Sequence, residues 1–175
     1  MIQTMDKKDL QGEVDKMLEF AKLSYEKAKQ FNPTLVILAR HNITKKEQGL
    51  VMPLFNDELV NNRHKFLEHI GHELADKKEY TPQAILWASE AWTSRVAKGQ
   101  DPNGIKPSQD PNRKEIFCIT TMQADGKTGM QVYNIKRNKK EVNLIVNKEM
   151  SKGLSVESNL LNNFWQGYNK ALPIS

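Results

Sequence analysis

The feature that most constrains the fold is a run of strand-forming residues at 84–96, AILWASEAWTSRV, which carries two of the three tryptophans. On an extended strand Ile85 and Trp87 fall on one face, and Leu86 and Trp92 fall on the other. The polar residues of the run do not share one helical face, which favours a strand. A helix is the competing prediction, because the run is rich in Ala, Leu and Glu. We expect one tryptophan in the core and the other exposed or under a helix.

The remaining pattern predicts three amphipathic helices and five further strands. Asn32-Pro33 ends the first helix, Pro53 places its strand at an edge of the sheet, and Asn56 or Asp57 caps the second helix. The predicted helices are 9–30, 57–78 and 156–168, and the other predicted strands are 34–40, 50–55, 115–124, 130–136 and 142–146.

The predicted element order is α-β-β-α-β-β-β-β-α, an α+β fold with a single antiparallel sheet and packed helices. Tight turns at 125–127 and 137–140 make the last strands a meander. The length of 175 residues suits a single domain, 1–175, with residues 1–8 frayed. The element order is analogous to roadblock and longin-like scaffolds, but no function follows from that analogy.

Two short motifs flank the segment after the tryptophan strand. They are SEAW at 89–92 and PSQDPNRKE at 107–115. Together they resemble a set of uncharacterised bacterial, archaeal and phage proteins with an EAW strand and a PxxxPxRxE loop. The resemblance covers only this part of the chain and implies no activity. The Lys- and Asn-rich composition adds the expectation of a phage-associated protein.

Composition predicts a cytoplasmic protein. Hydrophobic residues make up 38% of the chain and charged residues 27%, and no apolar run approaches the roughly 20 residues that span a bilayer. The start of the chain lacks the apolar core of a signal peptide. The single cysteine, Cys118, excludes an intramolecular disulfide and is expected to be a small buried hydrophobe. A nucleophilic role for it is the alternative, since catalytic partners need only meet in space.

The second helix carries the pattern most typical of a metal site. His64, Glu68 and His72 are spaced by four residues, so they share a helical face that could hold zinc. Glu68 and His72 project nearly opposite the apolar stripe, and the chain contains no HExxH motif. We therefore expect a solvated polar face and no metal, with a metal or catalytic role as the alternative.

Positive charge is concentrated between residues 112 and 152, and the chain direction brings much of it to one end of the sheet. The net charge of the whole chain is +5. In an antiparallel sheet, three strand termini lie together at this end. They are the end of strand 84–96, the start of strand 115–124 and the end of strand 130–136. The loop 98–113 between the first two contains three of the seven prolines, which is typical of an ordered, functional loop. The candidate binding residues at this end are Trp92, Arg95, Asp110, Arg113, Glu115, Lys136, Arg137, Lys139 and Lys140.

One interpretation of this end is that its charges only protect strand ends and that Arg113 pairs with Asp110 or Glu115 to fix the loop. We expect a non-enzymatic protein that binds an unknown protein partner there, with no catalytic residue and no cofactor. The alternative is nucleic-acid binding through the basic turn 136–140. A second alternative is a hydrolase-type site near Trp92, built from Glu90, Arg95, Asp110, Arg113 and Glu115.

Overall fold

The structure, a computed structural model, describes residues 5–93, 109, 111–152 and 156–173. Its helices are α1 (Lys7–Ala28), α2 (Asp57–Asn61), α3 (Arg63–Lys77) and α4 (Val156–Ala171), with a 3-10 turn at Met150–Lys152. Its strands are β1 (Thr34–His41), β2 (Glu47–Pro53), β3 (Tyr80–Thr93), β4 (Lys114–Gln123), β5 (Thr128–Arg137) and β6 (Val142–Val146). Among the described residues no helix is long and apolar enough to cross a membrane.

The six strands form one sheet in the order β2-β1-β3-β4-β5-β6, and every neighbouring pair is antiparallel. The predicted α+β fold with a single antiparallel sheet is therefore confirmed. β2 lies at an edge, as Pro53 predicts, and β4, β5 and β6 form the predicted meander. The described part of the run at 84–96, for which a helix was the competing prediction, is a strand. Its Trp87 is 1% exposed, whereas Trp92 is 42% exposed.

Helix α1 covers one face of the sheet. Val14, Met17, Ala21 and Tyr25 recur at spacings of three and four and pack on a cluster that includes Phe117. Lys29 ends the helix in the left-handed conformation, with φ of 60°, and its N–H donates to the Tyr25 carbonyl. This pattern satisfies one of the carbonyl groups that a helix end leaves open.

Helices α3 and α4 cover the opposite face, where Leu161 and Phe164 of α4 pack with Leu67 of α3 and with Trp87. The two helices cross at glycines. A Cβ atom added to Gly167 would lie 1.9 Å from the Glu68 carbonyl oxygen. Because only glycine lacks a Cβ atom, the two backbones can touch only at such positions.

Two helix boundaries differ from the prediction. The predicted helix 57–78 is two helices, since both the backbone N–H and the side-chain amide of Asn62 donate to the Glu58 carbonyl and end α2. Helix α1 begins at Lys7 rather than at 9, because the Asp6 carboxylate accepts from the Lys8 N–H at 2.7 Å and caps the helix. Residues 1–4 lie outside the described residues. The cap predicted at Asn56 is confirmed.

Two strand boundaries also differ. β3 begins at Tyr80 rather than at 84 and contains Pro82, since a register shift between Leu38 and Ala39 of β1 creates an irregularity there. A proline lacks the N–H that a regular ladder needs and is tolerated at a bulge. β2 begins at Glu47 rather than at 50, because the tight turn after β1 allows pairing to resume at once. The predicted end of β3 at 96 lies outside the described residues.

Candidate binding surface at the basic end of the sheet

The end of the sheet that the sequence analysis selected is formed by the last residues of β3 and β5 and the first residues of β4 and β6. The register places Thr93 opposite Lys114, Ile116 opposite Asn134, and Arg137 opposite Val142. The predicted convergence of these strand ends is therefore confirmed. We call this region the basic end.

Trp92 is exposed at the basic end because the helical layer stops before it. Trp92 follows Leu86, Ala88 and Glu90 on the face of the sheet that α1 covers. The chain leaves α1 at Lys29, and the Phe31 N–H donates to the Glu90 carboxylate at 3.0 Å. Trp92, one position further along this face, lies past the end of the helix.

Arg113 packs on the exposed tryptophan. Its guanidinium carbon lies 4.5 Å from the centre of the Trp92 ring, which is a cation–π arrangement. Trp92 pairs with Glu115 across β3 and β4, so Arg113 precedes that partner by two residues on the same face. In one interpretation of the sequence, Arg113 pairs with Asp110 or Glu115. Asp110 lies outside the described residues, and the tryptophan contact was not predicted.

Arg137 holds the two carboxylates of this face. Its Nε donates to Glu115 Oε2 at 2.6 Å, and its second terminal nitrogen lies 3.4 Å from Glu90 Oε1. A third nitrogen donates to the carbonyl oxygen of Lys29. The hydrogen bond and charge of Glu115 raise the pKa of Arg137, so the guanidinium stays charged. Arg137 thus links the end of α1 to β3, β4 and β5.

Tyr25 lies beneath this network and is 1% exposed. Arg137 lies over its ring, 5.6 Å from the centre. Its hydroxyl has no hydrogen-bond partner among the described residues. Burial raises the pKa of Tyr25 far above its ordinary value, and the nearby charge of Glu90 raises it further. The phenol therefore stays protonated and contributes packing to the network.

The turn between β5 and β6 presents two lysines in a fixed conformation. The Asn138 side-chain oxygen accepts from the N–H groups of Lys140 and Glu141 at 2.9 and 2.8 Å. Lys29 Nζ also donates to the Lys140 carbonyl at 2.8 Å, which ties the turn to the end of α1. Lys139 and Lys140 are exposed.

A shallow open groove of about 470 Å³ runs across the basic end beside Trp92. This volume lies in the lower part of the range for ligand pockets, so the groove has room for a few side chains. We call it the Trp92 groove. It is lined by Trp92, Arg113, Lys114, Glu115, Asn134, Ile135 and Lys136.

The structure brings together seven of the nine candidate binding residues. Trp92, Arg113, Glu115 and Lys136 line the groove, Arg137 forms the network beneath it, and Lys139 and Lys140 lie on the adjoining turn. Arg95 and Asp110 lie outside the described residues. The hydrolase-type site near Trp92 gains no support from this arrangement. Glu90 and Glu115 both bind Arg137, as in a structural ion-pair network.

Two polar residues of α3, the helix that carries His64 and His72, contact neighbouring side chains. Glu68 Oε1 accepts from Lys170 Nζ of α4 at 2.6 Å, which lowers the pKa of Glu68. His72 Nδ1 lies 3.1 Å from an oxygen of Asp76. Within the described part of the chain no three His, Cys, Asp or Glu side chains are placed to hold a metal ion.

Two members of the network, Tyr25 and Lys29, were missed as site residues by sequence reasoning. The pairing of Arg137 with Glu115 could have been found by counting outward from the Asp125-Gly126 turn. The observed register of Ile116 with Asn134 continues to Glu115 beside Ile135, which makes Arg137 a diagonal neighbour. No local signal could have shown that the end of α1 reaches these strands.

Comparison with known protein families, curated proteins and solved structures finds no match to this chain. The resemblance carried by the motifs at 89–92 and 107–115 therefore stays a prediction. The geometry of the basic end is the basis for a functional proposal.

Proposed function

We propose that the protein is a non-enzymatic binding protein that uses the Trp92 groove to bind a protein partner. The observation that carries the proposal is the exposed Trp92 with Arg113 packed on its ring. Tryptophan and arginine are enriched among the few residues that provide most of the binding energy of protein interfaces.

The surroundings of Trp92 support this role. The Arg137 network fixes the ends of three strands and of α1 around the groove, so a partner meets a surface that is already ordered. Preorganised surfaces bind more tightly because less conformational freedom is lost on association. Arg137 and Glu115 act in this proposal by shaping the surface, while Trp92, Arg113 and the lysines supply the contacts.

Nucleic-acid binding is the second candidate, favoured by the exposed cations of the turn 136–140. Proteins that bind single strands add successive aromatic side chains on which bases stack. At the basic end, Trp92 is the single large hydrophobic side chain of the described residues that is both aromatic and exposed, and Arg113 already lies over its ring. The protein-binding proposal is therefore preferred.

The test compares two variants in an affinity capture from the source cells. The variant Trp92→Ala with Arg113→Ala is expected to lose the captured protein and to keep the circular dichroism spectrum of the wild type. The matched control is Ile43→Ala with Lys46→Ala, which changes an exposed apolar residue and a cation at the opposite end of the sheet. Retention of the partner by the first variant would refute the proposal.

A further inference from the structure

Most exposed lysines of the described chain have no carboxylate oxygen of a described residue within 4.0 Å, and the basic end is distinguished by four such lysines that lie on or beside one groove. Along the rest of the described chain, Lys16, Lys22, Lys127 and Lys170 each lie within 4.0 Å of a carboxylate oxygen. At the basic end, the side chains of Lys114, Lys136, Lys139 and Lys140 have no carboxylate of the described residues within that distance. These four cations are therefore accessible to an external partner.

The carboxylates of the basic end are engaged by Arg137. Glu115 and Glu90 lie 2.6 and 3.4 Å from its guanidinium nitrogens. These two acids carry one negative charge more than Arg137 carries positive charge, and the four lysines outweigh that remainder, so the basic end keeps a net positive charge. A surface of net positive charge that also exposes a tryptophan favours a partner of opposite charge.

We propose that the segment recognised at the Trp92 groove is an acidic, extended stretch of protein, an inference that rests on the proposed function. One apolar side chain of that segment packs beside Trp92, and its carboxylates reach the flanking lysines, which are Lys114 and Lys136 on the groove and Lys139 and Lys140 on the turn. The shallow groove of about 470 Å³ admits a few side chains, which fits a linear segment better than a folded domain.

The conformation of the turn between β5 and β6 supports the proposal that an acidic segment binds here. The Asn138 side chain fixes the backbone of Lys140 and Glu141, and Lys29 holds the turn against α1. The backbone that carries Lys139 and Lys140 is thus ordered before binding, so only the side chains must be immobilised. Exposed charge pairs are screened by salt, with a Debye length of about 10 Å at 0.1 M. Affinity for the acidic segment is therefore expected to fall as salt rises.

The test measures fluorescence anisotropy of labelled 12-residue probes with the full chain. The probe is a peptide of alternating Glu and Leu, and the comparison probes replace Glu by Gln or are oligothymidine of the same length. We expect the Glu peptide to bind at least tenfold more tightly than the Gln peptide, and to weaken at least tenfold with Lys136→Ser, Lys139→Ser and Lys140→Ser combined. The matched control combines Lys7→Ser, Lys46→Ser and Lys65→Ser, three exposed lysines outside the basic end, and is expected to change affinity less than twofold.

The outcomes separate this inference from the proposed function. Equal binding of the Gln and Glu peptides that is lost with Trp92→Ala would overturn the acidic segment and leave protein binding in place. Tight binding of oligothymidine that depends on the same lysines, with no peptide binding, would overturn both. Failure of the Glu peptide to bind the wild type at low salt would overturn the acidic segment alone, provided that capture of a protein partner still depends on Trp92.

Discussion

The crossing of α3 and α4 gives a sharp prediction for Gly167→Ala. The new Cβ atom would lie 1.9 Å from the Glu68 carbonyl oxygen and 2.7 Å from its carbon, whereas ordinary contacts begin near about 3.5 Å. The obstacle is backbone, so no side chain can rotate away. The two helices must separate by more than about 1 Å, which loosens the packing of Leu161 and Phe164.

The expected change in the free energy of unfolding follows from two opposing contributions. Overpacking of a close contact costs about 1–3 kcal/mol, and a backbone clash belongs at the upper end of that range. Alanine in place of glycine inside a helix returns up to about 1 kcal/mol. We therefore expect Gly167→Ala to lower the free energy of unfolding by about 2 kcal/mol. At about 2–4 °C per kcal/mol for a chain of this size, Tm falls by about 4–8 °C.

The matched control is the same substitution in an open environment. Gly12 lies inside α1, and an added Cβ atom would meet nothing within 4 Å. Gly12→Ala should therefore raise the free energy of unfolding by about 0.5–1 kcal/mol through helix propensity alone. Both variants are followed by urea and thermal unfolding with circular dichroism. A Gly167→Ala variant as stable as Gly12→Ala would refute the close crossing of α3 and α4.

Three further predictions concern single residues. Tyr25→Phe removes a buried hydroxyl that has no partner among the described residues, so it should be neutral or stabilise by up to about 1 kcal/mol. The pKa of Tyr25 is higher in the folded state, so its contribution to the free energy of unfolding is complete below about pH 10 and is lost as the pH rises further. Unfolding curves at alkaline pH should show this loss in the wild type and a smaller loss in Tyr25→Phe. Arg137→Ala leaves two neighbouring carboxylates unpaired and should destabilise by about 1–3 kcal/mol at pH 7; an unchanged midpoint in urea unfolding would contradict the network. Gly126→Ala should destabilise by about 1 kcal/mol in thermal unfolding because Gly126 has φ of 84°, which alanine adopts only with strain; an unchanged Tm would contradict that turn conformation.

Much of the fold could be predicted because its signals are local. Periodic apolar residues identified α1, and the Asp125-Gly126 turn identified the β4–β5 hairpin. Pro53 correctly placed β2 at an edge. The failures arose where a local rule was overridden by distant pairing. The strand predicted to begin at 84 begins at Tyr80, because the irregular register with β1 accommodates Pro82.

The candidate site could be predicted only to the level of which strand ends meet. Chain direction was enough to bring Trp92, Glu115 and Lys136 to one end of the sheet. The partner of each charge depends on side-chain reach across strands and on where α1 ends, which no residue pattern records. Arg137 was therefore expected as a contact cation, and the structure gives it Glu90 and Glu115 as partners.

The most direct test of the central claim is site-specific photocrosslinking. A benzoylphenylalanine residue is placed at position 92 and, as the control, at position 43 at the opposite end of the sheet, where Ile43 is more exposed than Trp92. We expect a discrete protein adduct from position 92 that is absent from position 43 and that is competed away by unmodified wild-type protein. Adducts of equal yield from both positions, or an adduct with nucleic acid alone from position 92, would contradict the claim that the Trp92 groove is a protein-binding surface.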